Sequence, residues 1–266
     1  MKVLIFGCGY VGKAIASSLL ADNFFVGVTT RNSHKIKELS NYSNEVHFLK
    51  SPSDILEFIL EYDIVIFSVA ADTSNDYEEA YLKNAELILQ ALTASSDKKH
   101  VIYTSSTSVY GDHFGNWVDE QSELKGNSPE ATILIQTEKK LLEINSLSKS
   151  SVCIYRLGEI TGPEKEVKER VKRNQGLTLP GDGSNYTNFS PISDIVNGIK
   201  IAIKLRLSGI FNLCSSLHVS RKELYDQICI ENNLKMIKWD ANKKSIHFGN
   251  KRVSSEKFLN LKNLKS

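Results

Sequence analysis

Residues 3–12 read Val3-Leu4-Ile5-Phe6-Gly7-Cys8-Gly9-Tyr10-Val11-Gly12, a short apolar run followed by Gly-x-Gly-x-x-Gly, and a helical pattern then continues to Ala21. Each glycine has its own task in such a turn. The first permits the sharp reversal out of a strand, and the second lets backbone approach a pyrophosphate. The third lets the helix pack closely on the strand. The phosphates then meet the positive N-terminal end of the helix. Gly7, Gly9 and Gly12, with Tyr10 and Val11 between them, are therefore assigned to cofactor binding.

Outward from this turn, strand-like and helix-like segments alternate. Strands are expected at Phe25–Val28, Val46–Leu49, Ile64–Val69, Val101–Thr104 and Val152–Arg156, and longer helices at about Tyr77–Leu92 and Pro129–Leu147. Such alternation implies right-handed crossovers and a parallel sheet. The expected fold class is α/β, a Rossmann doubly wound parallel sheet with a small, partly discontinuous C-terminal substrate lobe. Residues 1–163 form the dinucleotide-binding domain in this reading. Residues 164–266 form the lobe, with segments including 192–213 returning to the main domain. Within the lobe, helices are expected at Glu164–Arg173, Ile192–Leu205 and Arg221–Glu231, and a strand at Gly209–Leu213.

The end of the second strand chooses the cofactor. An NAD site usually places an acid there for the ribose 2′-hydroxyl. Here the stretch is Val28-Thr29-Thr30-Arg31-Asn32, and the first acid is Glu38. A carboxylate would repel a 2′-phosphate, whereas Arg31 can pair with one, and Thr30 can add a donor. NADP is expected in preference to NAD.

Further segments carry a family resemblance. Tyr103-Thr104-Ser105-Ser106-Thr107-Ser108-Val109-Tyr110-Gly111-Asp112 is similar to a strand-five signature, and Arg156-Leu157-Gly158-Glu159-Ile160-Thr161-Gly162-Pro163 to an Arg-x-x-x-x-x-Gly-Pro turn. Ile192-Ser193-Asp194-Ile195 and Gly209-Ile210-Phe211-Asn212 follow in the matching order. The chain resembles an extended short-chain dehydrogenase/reductase of the NAD(P)-dependent epimerase/dehydratase family. The resemblance implies cofactor contacts from Ser68, Val69, Ala70, Asn84 and Ser105. It also implies that the Ser106 hydroxyl hydrogen-bonds the reacting oxygen. The plainer alternative is a hydroxyl cluster that satisfies loop backbone at the strand end.

On the next helix the resemblance breaks. The family carries Tyr-x-x-x-Lys there, in which the ammonium lowers the tyrosine pKa and holds the nicotinamide ribose. Pro129 on one side, and Glu138 with Leu141 on the other, anchor the segment, so Glu130 falls on the Tyr position and Leu134 on the Lys position. None of the ten tyrosines has a lysine four residues later. Glu130 is a tentative substitute acid, since burial raises a carboxyl pKa. Alternatively it is a helix-N-terminal acid favoured by the dipole.

On the substrate side, Thr187 stands where family epimerases place an arginine for nucleotide phosphates. Tyr110, Glu159, Tyr186 and Asn188 are expected to line the substrate cleft. Two functions remain open. One is an atypical oxidoreductase or epimerase acting on a small molecule, sugar-like if the resemblance extends that far. The other is a catalytically weak or inactive NADP-binding or redox-sensing protein.

Bulk composition excludes little else. With 33 basic and 31 acidic residues the formal net charge is +2, which gives no argument for a nucleic-acid partner. The run 165–173 (KEVKERVKR) is read as a solvated helix face. The four cysteines and six histidines show no metal-ligand spacing, so no metal is expected. No apolar run reaches membrane length, and a cytoplasmic location is expected. The family resemblance further suggests a homodimer through the helices near 77–92 and 129–147.

Overall fold

The computed structural model describes residues 1–71, 73–126, 128–243 and 249–263. The first part of the chain runs β1 (Lys2–Phe6), α1 (Tyr10–Ala21), β2 (Phe25–Thr30), the short α2 (Ile36–Leu39), β3 (Glu45–Phe48), β4 (Ile64–Phe67), α3 (Asn84–Thr93) and β5 (His100–Ser106). The middle runs β6 (Trp117–Val118), α4 (Pro129–Leu142), α5 (Ile144–Leu147), β7 (Ser151–Leu157), β8 (Glu159–Thr161), α6 (Val167–Asn174), β9 (Thr178–Pro180) and β10 (Phe189–Pro191). The remainder is α7 (Ile192–Leu205), β11 (Gly209–Leu213), α8 (Arg221–Glu231), β12 (Lys238–Asp240), β13 (Arg252–Val253) and α9 (Glu256–Asn263).

The central sheet has seven strands in the order β11-β7-β5-β4-β1-β2-β3. Strands β2, β1, β4 and β5 pair in parallel with in-step registers such as Val3↔Val26, Val3↔Ile64 and Ile64↔His100. The chain builds outward from β1 to β3 and then returns to place β4 on the other side of β1. The point between β1 and β4 is where strand order reverses, and ligands of open α/β sheets bind outside the carboxyl ends of strands at such a point. The inner strands β1 and β4 are near-continuous apolar runs because both faces are covered. Val3, Leu4, Ile5, Ile64, Val65, Ile66 and Phe67 are all fully buried, each side chain contributing about 1.5–3 kcal/mol by leaving water.

Contacts divide the chain into two compact units. Unit 1 comprises Met1–Ser106, Thr132–Arg156 and Asp194–Phe211; unit 2 comprises Thr107–Ala131, Leu157–Ser193 and Asn212–Ser266. The segment 107–131, which the sequence reading kept with the first domain, groups with the second. The apolar core of unit 1 includes Leu4, Phe6, Ile55, Val65, Phe67, Ile88, Val101, Tyr103 and Ile154. Unit 2 has its own apolar cluster around Val171, Tyr225, Cys229 and Ile237. It also holds three two-stranded parallel ladders, β10–β8, β12–β9 and β13–β6.

Three helices depart from the sequence expectation. The helix expected at Tyr77–Leu92 opens with a π-helical turn, Glu78–Lys83, before α3. Asn84 donates its side-chain amide to the carbonyls of Glu79 and Ala80 at 3.1 and 2.9 Å, which competes with the ordinary ladder. The helix expected from Glu164 begins at Val167, because Glu164 has φ 66°, a left-handed conformation that no right-handed helix contains. The helix expected at Pro129–Leu147 is divided into α4 and α5. Among the described residues, no helix is long and apolar enough to cross a membrane.

Candidate functional site

The β1–α1 turn separates the three glycine tasks by geometry. A Cβ on Gly7 (φ +97°) would lie 2.6 Å from the Val69 Cα, and one on Gly12 would lie 2.4 Å from the Gly7 carbonyl oxygen. Both glycines are required by close backbone packing. A Cβ on Gly9 would meet nothing within 4 Å. Gly9 is exposed and stands at the N-cap of α1, whose first turn carries no acid. This is open space directly above a helix N-terminus, and it fits a pyrophosphate. The Gly7 amide donates to Thr29 Oγ1 at 3.1 Å and so fixes the turn against β2. Thr29 was not singled out from the sequence. Its position one residue before Thr30 on a strand, facing the opposite side of the sheet, was the available signal. Cys8 is buried between the glycines, and burial pushes its thiol up to about 11, which removes thiolate chemistry there.

At the end of β2, Thr30 is nearly buried and its hydroxyl accepts from the Asn32 amide at 3.1 Å. Asn32 in turn accepts from His34 N at 3.0 Å. Arg31 follows the strand directly and is exposed. Glu38, the first acid beyond the strand, pairs with Lys13 of α1. The strand end therefore presents a guanidinium and no unpaired carboxylate.

The carboxyl ends of β4 and β5 adjoin in unit 1. Thr104 Oγ1 donates to Ser68 Oγ at 3.3 Å, and Ser68 N donates to the Phe6 carbonyl at 2.8 Å. Val69 is half-buried and Ala70 exposed. Asn84 is buried, and its Oδ1 has no hydrogen-bond partner among the described residues. The Ser105 hydroxyl donates to Glu138 Oε1 at 2.6 Å, and Glu138 also receives Arg156 Nη2 at 2.6 Å. This buried Ser–Glu–Arg group fastens β5, α4 and β7 together, so the Ser105 side chain is engaged internally. Ser106, the last residue of β5, is half-buried.

Helix α4 starts with Ser128 Oγ accepting from Ala131 N at 3.2 Å, followed by Pro129 at the first helical position. Glu130 is half-buried in that first turn, where the helix dipole favours a carboxylate. Leu134 belongs to unit 1 and is 5% exposed. It offers neither charge nor hydrogen bond.

The four residues expected along the substrate side all belong to unit 2. Tyr110 is fully buried and donates its hydroxyl to Asn212 Oδ1 at 2.7 Å. Asn188 donates to the Lys251 carbonyl at 2.9 Å and accepts from Val253 N at 2.8 Å. Tyr186 lies with its ring centroid 4.9 Å from the Arg252 guanidinium carbon. Glu159 receives both Arg170 and Arg221. Tyr110 and Asn188 therefore have their polar groups committed within the unit, and Glu159 is the member with two charged partners. Arg170 corrects the sequence reading of 165–173, since this arginine turns inward from the solvated helix face to reach Glu159.

Comparison with known proteins adds the following. The model of the NAD dependent epimerase/dehydratase family matches residues 3–214. Protein YeeZ of Escherichia coli (strain K12) is 27% identical over 234 residues, covering 85% of this chain and 82% of that protein. MoeE5, solved in complex with UDP-glucuronic acid and NAD, has a TM-score of 0.82 at 17% identity, covering 98% of this chain and 92% of that one. The UDP-glucose 4-epimerase of Thermotoga maritima, solved with UDP-glucose, has a TM-score of 0.79 at 18% identity, covering 97% and 91%. At these identities the structural likeness is one of fold.

Proposed function

The chain belongs to the NAD dependent epimerase/dehydratase family, and from that premise we propose that it binds NADP and acts as an atypical oxidoreductase or epimerase on a small molecule. The observation that carries the reading is the open space above Gly9 at the uncapped start of α1, between two glycines that packing requires. Bound there, the nicotinamide cofactor supplies hydride transfer. The chain's own residues have separate tasks. The α1 N-terminus and Gly9 receive the pyrophosphate, and Arg31 with Thr30 receives the 2′-phosphate. Ser68, Val69, Ala70 and Asn84 flank the cofactor along the strand ends, and the Asn84 Oδ1 offers an acceptor. Ser106 hydrogen-bonds the reacting oxygen, and Glu130, when protonated, replaces the missing tyrosine as acid. The names of the structural relatives make a nucleotide sugar the first substrate to try.

A second reading has its own support. Leu134, which the sequence reading sets on the family's lysine position, is buried, so no ammonium there steadies a ribose or lowers a neighbouring pKa. On that reading the chain holds NADP with little turnover and reports its redox state. The experiment is to follow nicotinamide absorbance for net oxidation or reduction, and chromatographic conversion of the sugar for redox-neutral epimerisation, with wild type, Ser106→Ala and Glu130→Gln on UDP-glucose and UDP-glucuronate. Turnover by wild type that falls about 100-fold or more in either variant supports the enzyme reading. NADPH that binds tightly, with no turnover of either sugar, supports the second.

A further inference from the structure

Three elements of unit 2 bring two arginines onto one carboxylate. Glu159 of β8 receives Arg170 Nη1 from α6 on one oxygen, and Arg221 Nη2 from the first turn of α8 on the other at 3.2 Å. Both guanidinium carbons lie 5.8 Å from the centre of the Tyr225 ring, whose hydroxyl accepts from Arg221 Nη1 at 3.2 Å. Burial pushes the Glu159 carboxyl up, but the two guanidiniums outweigh it and hold the group below its ordinary value, so it is ionised. The cluster of Glu159, Arg170 and Arg221 thus carries two positive charges against one negative.

Hydrogen bonding leaves the same surplus. Arg221 is 7% exposed, and the Nε atoms of Arg170 and Arg221 are buried with no hydrogen-bond partner among the described residues. A buried guanidinium with an unmet donor is costly, and its fixed fork matches the geometry of phosphate and carboxylate. The group is reachable, because the side chains of Arg170 and Glu159 are 29% and 27% exposed. What would complete the cluster is one more negative charge bearing acceptor oxygens.

We propose that Arg170 and Arg221 form a binding site for an anionic group of the substrate, a phosphate or a carboxylate, for which the Glu159 carboxylate competes. Assigning the anion to a substrate rests on the oxidoreductase reading above, whereas the anion site itself does not.

The test is calorimetric titration of inorganic phosphate and of D-glucuronate into the full chain saturated with NADPH, which keeps phosphate out of the β1–α1 turn. Wild type, Arg170→Gln, Arg170→Lys and Glu159→Gln are compared. Wild type should bind at least one anion, and the one preferred tells phosphate from carboxylate. Arg170→Gln should weaken binding about tenfold, the loss of one charge-assisted hydrogen bond. Arg170→Lys should lose less, and Glu159→Gln should tighten binding by removing the competing carboxylate. The last result separates a binding site from a structural ion cluster, in which Glu159→Gln lowers stability without raising affinity. If Arg170→Gln does not fold, Arg170→Lys and Glu159→Gln carry the comparison. The proposal is overturned if wild type binds neither anion, if the Arg170 variants bind as wild type does, or if Glu159→Gln fails to tighten binding. NADPH binding is read in the same samples. Its absence would defeat the oxidoreductase reading, while the dependence on Arg170 would still decide the anion site.

Discussion

An added methyl group at Gly9 would meet nothing within 4 Å, whereas at Gly12 it would fall 2.4 Å from the Gly7 carbonyl oxygen. The same substitution should therefore separate two roles. Gly12→Ala should lower stability by about 1–3 kcal/mol, since backbone must shift to admit the methyl group. Gly9→Ala should unfold at nearly the wild-type denaturant concentration yet bind NADPH about tenfold more weakly, because it holds the phosphates off the backbone. Denaturant melts and cofactor titrations of both variants check this. These residues were legible in the sequence because glycine spacing reports backbone geometry directly. The hydrogen bonds of Tyr110 and Asn188 were not, since their partners Asn212 and Lys251 lie far along the chain. Arg170 was obscured by its own context. In a run of alternating charges, nothing local marks the one arginine that turns inward to a carboxylate on another strand.

At the scale of elements, the strands of the central sheet were legible because its inner members, such as Ile64–Phe67, are near-continuous apolar runs. The boundaries that moved did so through side-chain competition or dihedral angle, as at Asn84 and Glu164. Two consequences belong to this scale. The Ser105–Glu138–Arg156 group joins β5, α4 and β7, and Glu138→Ala would remove the buried carboxylate that Arg156 pairs with. Stability should fall by about 3–5 kcal/mol, measured by denaturant unfolding. His100, the first residue of β5, is fully buried and contacts the Leu207 carbonyl through Nε2 at 2.8 Å. Burial, helped by Arg206, holds its imidazole below the ordinary value of 6.5. With a depressed folded value, the unfolded chain takes up the proton first as pH falls through 6.5, so stability is lost from there downwards. His47 and His218 shift the same way. His100→Gln should accordingly flatten, without abolishing, the decline in stability between about pH 7 and about pH 5.

For the whole molecule, the first twelve residues announce the fold, and family membership over residues 3–214 agrees with them. What they do not announce is the usual chemistry of that family, since the sequence reading expects Glu130 and Leu134 where its tyrosine and lysine would stand. The residues expected to hold cofactor belong to unit 1, and Tyr110, Glu159, Tyr186 and Asn188 belong to unit 2. The most direct measurement is calorimetric titration of NADPH and NADH into wild type and Arg31→Glu. Wild type should bind NADPH about tenfold or more tightly than NADH, with the preference reversed in Arg31→Glu, where a carboxylate meets the 2′-phosphate. Equal affinity for the two cofactors in wild type, or a preference untouched by Arg31→Glu, would contradict the assignment of the strand end to the 2′-phosphate. Failure to bind either cofactor would contradict the dinucleotide site itself.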